Sequence, residues 1–174
     1  MKTILLLRHA KSAWNDPRLD DQERPLSKRG EQAAALMADY VAHRSPRPDL
    51  VLCSTALRTR QTLAPLVKRL DAPVPPISLE KELYLASEDV LLAHLQELTD
   101  ETRVVLMIGH NDGLWRLAEA LAGAGPPHLH QALAQKFPTG ALATLRTGDG
   151  PWRDLKWGSA ELVAFVKPKD LAVT

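Results

Sequence analysis

The sequence predicts an α/β fold, a three-layer α/β/α sandwich around a mostly parallel central sheet, within a single domain spanning residues 1–174. Three observations carry that expectation. Short, continuous apolar runs occur within ILLL (4–7), DLVLC (49–53) and RVVLMI (103–108), and continuous rather than alternating apolar strands belong to sheets covered on both faces. Longer segments with helical periodicity separate these runs, and strands alternating with helices build parallel sheets. A chain of 174 residues is long enough for a sizeable core.

Taken in order, Lys2 to Leu7 reads as a buried strand, and the polar stretch Asn15 to Pro25, broken by Pro17, as a loop. Ser27 opens a helix reaching about Arg44, with Leu36, Met37, Tyr40 and Val41 on one face. The connector Ser45-Pro46-Arg47-Pro48 ends it, because proline disfavours helix in its own and the preceding residue. Asp49 to Cys53 is the second strand, and Ser54 is the expected N-cap of a helix from Thr55 to Leu70. After the proline cluster 72–76, a short extended piece covers Ile77 to Leu79, and Ser87 caps a helix carrying Val90, Leu91, Leu92 and Leu95. Arg103 to Ile108 is the third strand, Asn111 caps a helix over Leu114 to Leu121, and Gly123 to Pro127 stops it. Late strands at about Ala141 to Arg146 and Glu161 to Lys167 complete the chain.

A formal charge of +1 gives no sign of a nucleic-acid or membrane partner and confines any useful positive field to a local cluster. No run approaches the ~18 apolar residues of a membrane helix, and the opening apolar run is too short for a signal peptide. Cys53 is the only cysteine, so no intramolecular disulfide can form, and a cytoplasmic location is expected.

Each of the three strongest strands ends in polar chemistry. The first ends in Arg8-His9, the second in Ser54 with Arg58 in the next helical turn, and the third in Gly109-His110-Asn111. In parallel sheets ligands bind outside the carboxyl ends of the strands, so two arginines, two histidines and two helix N-termini converge there. That combination is an oxyanion site, and arginine forks suit phosphate. Taken singly, each residue has a plainer reading as a solvated or capping group. The positive charge of Arg58, however, opposes the helix dipole at that position, which points to an anionic partner.

The residues Arg8-His9-Ala10-Lys11-Ser12-Ala13-Trp14-Asn15, then Arg24-Pro25-Leu26-Ser27-Lys28-Arg29-Gly30, then Ser54-Thr55-Ala56-Leu57-Arg58 with Gln61-Thr62, and finally Gly109-His110-Asn111 together resemble the histidine phosphatase superfamily. More narrowly, the chain resembles its small members, the SixA-type phosphohistidine phosphatases, with one departure at Ala10, where many relatives carry glycine. The resemblance implies a phosphoglycerate mutase-like fold and a phosphatase without metal or cofactor, acting on a phosphohistidine or a small phosphomonoester. His9 would be the nucleophile and carry a covalent phosphohistidine. Arg8, Arg58 and His110 would bind phosphate and act in catalysis, and Asn15 would add a neutral donor. A histidine nucleophile must be unprotonated, which a pKa near ~6.5 allows. Arg8, Arg58 and a protonated His110 would lower it further. For the general acid, mutases and broad phosphatases of the superfamily place a glutamate in an L-x-E segment that runs into a G-x-W-E-G-like stretch. Leu79-Glu80-Lys81-Glu82-Leu83-Tyr84 has no such continuation. Glu82 is the candidate acid and Glu80 the next, each with an equally good reading as a solvated carboxylate. The missing signature favours leaving groups that depart without a proton. The alternatives are a phosphoglycerate-mutase-like phosphotransferase and a phosphate-binding module without turnover.

Other signals carry less. Four residues separate Cys53 from Arg58, one fewer than the C-x5-R loop of cysteine phosphatases, so Cys53 reads as a buried hydrophobe. His128-Leu129-His130 sits in a proline-rich loop without a spaced third ligand, and no metal site is expected. His43 and His94 fall on helices and read as structural or exposed residues, and Trp152 and Trp157 flank a Gly-rich turn and read as core packing, with a substrate rim as the lesser alternative. Arg24 is either close to the pocket, as the resemblance implies, or a plain loop arginine.

Overall fold

The computed structural model describes residues 1–172. Its strands are β1 (Lys2–Arg8), β2 (Leu50–Ser54), β3 (Ile77–Glu80), β4 (Val104–Gly109), β5 (Ala122–Ala124), β6 (Leu142–Thr147) and β7 (Ala160–Val166). The helices are α1 (Lys28–Arg44), α2 (Leu57–Arg69), α3 (Glu88–Gln96), α4 (Gly113–Leu121), α5 (Pro127–Gln135) and α6 (Pro168–Leu171). One seven-stranded sheet runs in the order β3-β2-β4-β1-β6-β7-β5. Strands β1, β2, β3 and β4 pair in parallel, β6 is antiparallel to both β1 and β7, and β5 pairs in parallel with β7. The sheet is therefore mixed and mostly parallel, with helices on both faces.

The apolar runs are apolar throughout because both of their faces are covered. Along β1, Ile4 and Leu6 enter one core with Leu91, Leu95 and Leu117 from α3 and α4, while Leu5 and Leu7 enter the other with Met37, Val41 and Leu66 from α1 and α2. In β4, Val105 and Met107 face the first core and Leu106 and Ile108 the second. Two packed faces on one sheet make the three layers.

Several local expectations change. Ser54 does not cap α2: it is the last residue of β2, and the N-cap position belongs to Ala56, which makes no side-chain cap bond. Asn111 does not cap α4 either; Asp112 holds that position, and the Asn111 amide donates to the Phe137 carbonyl at 2.9 Å. Ser27 and Ser87 do cap, accepting from the amides of Gly30 and Val90. Gly123 to Pro127 does stop α4, but the segment forms β5, and Pro127 then starts α5, so His128 and His130 lie on a helix rather than in a loop. Proline at the first helical position loses no hydrogen bond, so one Pro-Pro pair can both end a segment and begin the next.

Candidate active site

The carboxyl ends of β1, β2 and β4 lie side by side, since Arg8 pairs with Gly109 and Cys53 with Ile108. A cavity of about 440 Å³ opens above them, lined by Arg8, His9, Arg58 and His110 together with Ser12, Trp14, Asp21 and Arg24. The four residues drawn from the strand ends are thus brought together. Asn15 and Glu82 are not. Both are exposed and absent from the lining. Glu82 lies in a short 3-10 turn, and its carboxylate gathers instead with those of Glu80 and the ring of His94, within 4.8 Å of one another.

The turn after β1 is fixed from two sides. The Ala10 amide donates to Thr62 Oγ1 at 3.0 Å, and that hydroxyl donates to the Arg58 carbonyl at 2.7 Å, which ties the turn to α2. On the α1 side, a Cβ at Gly30 would stand 2.0 Å from the Lys11 carbonyl oxygen, so only glycine permits this close approach. The Ala10 methyl is fully buried against Leu26 and Ala34. It fills space in the wall and leaves the preceding histidine in place.

His9 is 7% exposed. Its Nδ1 lies 2.7 Å from the Ala10 carbonyl, an acceptor only, so Nδ1 carries the proton and Nε2 holds the lone pair. Burial lowers the His9 pKa to about 4; the Ala10 carbonyl opposes this, and Arg58, Arg8 and Arg24 add to it. The expectation that nearby cations keep the ring neutral is right in direction, but burial is the larger cause.

His110 differs from the sequence expectation. Burial, with His9 and Arg58, pushes it down to about 3, against the pull of Asp21. It is therefore neutral at pH 7 and cannot serve as a standing positive charge. Arg58 Nη2 faces His110 Nδ1 at 3.4 Å, and His110 Nε2 sits 2.8 Å from Ser54 Oγ. Because an arginine only donates, Nδ1 is the acceptor and Nε2 carries the proton. The Ser54 hydroxyl, expected to cap a helix, orients this ring instead.

Both arginines are held by protein acceptors. Arg8 Nη1 donates to the Phe137 carbonyl at 3.1 Å, and burial lowers its pKa, with Asp112 opposing. Arg58 Nη1 donates to the Asp21 carbonyl at 2.7 Å, and Nη2 to the Asp21 carboxylate at 2.9 Å. The Nε groups of both arginines are buried without a partner among the described residues, and such groups are costly unless a ligand meets them.

Sequence reasoning missed the hub of this network. Asp21 accepts from Arg58, from Arg24 Nε at 3.0 Å and from the Tyr84 hydroxyl. Partial burial works to raise its pKa, but the three donors overcome this and hold the carboxyl well below the usual range. Arg24 is a pocket residue rather than a loop arginine. It is 8% exposed, donates to Ser12 Oγ at 2.9 Å and lies 3.3 Å from the centre of the exposed Trp14 ring. The RPL segment was the available signal for Arg24. Asp21 and Tyr84 had none, since polar loop residues carry no periodicity. Cys53 is fully buried, and burial pushes its thiol up to about 12, which suits a packed hydrophobe rather than a nucleophile.

A histidine beside the half-buried Arg8 and the buried Arg58, at the carboxyl ends of a mostly parallel sheet, is an arrangement whose chemistry suits an oxyanion. Comparison with known proteins places it. The histidine phosphatase superfamily (branch 1) matches residues 4–84. An uncharacterised Mycobacterium tuberculosis protein is 36% identical over 165 residues, covering 94% of this chain and all of that one. A crystal structure described as the "putative phosphohistidine phosphatase SixA" of Agrobacterium tumefaciens superposes with a TM-score of 0.81 at 34% identity, covering 96% of this chain and 98% of that one. The protein histidine phosphatase SixA complexed with tungstate gives a TM-score of 0.76 at 26% identity over 97% of this chain and 99% of that one. The chain belongs to the histidine phosphatase superfamily.

Proposed function

We propose that the chain is a metal-independent phosphatase that hydrolyses a phosphohistidine or a small activated phosphomonoester through a covalent phosphohistidine on His9. One observation carries the reading: His9 is neutral, with Nδ1 tied to the Ala10 carbonyl and Nε2 left as its free lone pair, in a cavity it shares with Arg8 and Arg58. The Nε2 lone pair forms the new bond to phosphorus, and the pair of the broken bond leaves with the departing group. Water then attacks the phosphohistidine, and the His9 lone pair is restored as phosphate departs. Arg8 and Arg58 supply the counter-charge for the equatorial oxygens, where electrostatic positioning provides most of the catalysis of phosphoryl transfer. The tungstate in the SixA neighbour, an oxyanion of phosphate-like shape, supports this role. Neutral His110 accepts from Arg58 Nη2 at its Nδ1 and so helps to aim that guanidinium.

Leaving-group chemistry narrows the substrate. The carboxylate in the cavity, Asp21, is held ionised and has no proton to give. Phosphohistidine and aryl phosphates depart without one, whereas alkoxides do not. Phosphate release from phosphohistidine and p-nitrophenyl phosphate, compared with 3-phosphoglycerate and phosphoserine, tests the reading. Rapid hydrolysis of the first pair and slow hydrolysis of the second is expected. Comparable rates on all four would overturn it, and transfer to an acceptor without net release would assign a phosphotransferase.

A further inference from the structure

Beside the catalytic cavity lies a second one, of about 340 Å³, lined by Lys11, Arg29, Lys136, Lys167 and Lys169, with Thr139 between. We propose that this cavity is a second anion subsite, which receives a further phosphate of a small substrate carrying two or more phosphates. The proposal rests on the phosphatase reading of the first cavity and names the class of substrate it takes.

Three features support it. The two cavities share Lys11 and Thr139 as a common wall. Lys11 is two residues beyond His9, so their Cα atoms are at most about 7 Å apart. Thr139 is fixed beside them because the next amide, Gly140, donates to the carbonyls of Arg8 and His9 at 3.1 and 2.9 Å. One small molecule can therefore reach both.

The charge is also concentrated. A chain whose formal charge is +1 gathers five cations around one concavity. No carboxylate lines it, and none of the five forms an ion pair among the described residues. The neighbouring Asp170 carboxylate accepts from the Lys167 backbone amide at 2.9 Å and so is engaged. Like charges held together repel, and an anion relieves that cost.

Finally, the cations come from separate parts of the chain. Lys11 follows β1, Arg29 lies on α1, Lys136 ends α5, and Lys167 and Lys169 surround the start of α6. They converge only through the fold. A concave, localised set of this kind fits a compact polyanion better than the broad face of a protein partner.

The test uses tripolyphosphate and inorganic phosphate as ligands of the full chain, by calorimetry and as inhibitors of p-nitrophenyl phosphate hydrolysis. Exposed ion pairs contribute modestly, and several together give tripolyphosphate about a tenfold advantage over phosphate. In Lys136→Ala combined with Lys167→Ala, that advantage falls to within about twofold, while phosphate binding and p-nitrophenyl phosphate hydrolysis stay at the wild-type level. An undiminished tripolyphosphate preference in the double variant overturns the subsite. So does a phosphohistidine peptide with acidic flanks whose kcat/KM drops in the double variant while tripolyphosphate binding holds, because the cavity then serves a protein. If p-nitrophenyl phosphate and phosphohistidine are both left intact by the wild type, the phosphatase reading fails, and the calorimetric comparison still decides the subsite.

Discussion

Arg58 and Lys136 are cations on the walls of neighbouring cavities, and they are held in opposite ways. Arg58 is 2% exposed, its guanidinium fixed by the Asp21 carbonyl, the Asp21 carboxylate and His110. Lys136 is exposed at the end of α5, and its ammonium makes no ion pair among the described residues. A buried, oriented cation costs desolvation in every state and returns it when charge develops beside it. A solvated one adds modest, salt-screened attraction. The first arrangement suits a transition state and the second suits affinity.

The widest gap between the regions is expected from truncation. His9→Ala should abolish turnover without unfolding the chain. Arg58→Ala should lower kcat/KM on p-nitrophenyl phosphate by about 2–4 kcal/mol, the range for a lost oxyanion donor. Lys136→Ala should stay within about 0.5 kcal/mol on the same substrate. Equal losses for the two cations would erase the distinction between the cavities.

An intermediate effect is expected at Asp21, whose carboxylate holds Arg58 Nη2, one of the donors that substrate oxygens would use. Asp21→Asn removes that competing anion, so inhibition by inorganic phosphate should tighten by roughly fivefold, about 1 kcal/mol at an exposed-pair magnitude. Weaker inhibition would mean that Asp21 acts chiefly to aim Arg58.

pH sharpens the comparison in the same way. His9 must be neutral to attack, and its pKa stands at about 4 rather than 6.5. The acid limb of kcat/KM, which reports the free enzyme, should therefore fall near pH 4. A limb at 6.5 would indicate a solvated ring. Stability follows with a definite sign. Both His9 and His110 are lowered on folding, so between about pH 4 and 6.5 the unfolded chain binds more protons. Stability then rises with pH through that window and is lost as pH falls. His9→Ala should flatten the dependence of Tm on pH there, which thermal melts can follow. The smallest effect belongs to Glu82→Gln, expected to leave p-nitrophenyl phosphate hydrolysis within about twofold, since general-acid help matters only where the leaving group needs it.

The legible parts of the molecule share a physical cause. The centres of β1, β2 and β4 are apolar because both their faces are covered, and such runs are visible without a structure, as are the polar residues at which they stop. The convergence of His9, Arg8, Arg58 and His110 on one cavity was readable from those strand ends. Ser54 and Asn111 were misjudged as caps because the same side chains can serve tertiary partners, and here they bond His110 and Phe137. Asp21 and Tyr84 meet only through the fold, 63 residues apart. The lysine-lined cavity was hidden similarly, its cations cancelled in the total charge by carboxylates elsewhere.

The most direct test of the central claim is a rapid acid-free quench of the wild type during turnover of a 32P-labelled phosphohistidine or aryl phosphate, followed by peptide mapping. The label should be acid-labile, stable to base and located on His9, and it should be missing from His9→Ala. Label on Cys53, on another histidine, or on no residue while turnover continues would contradict the account.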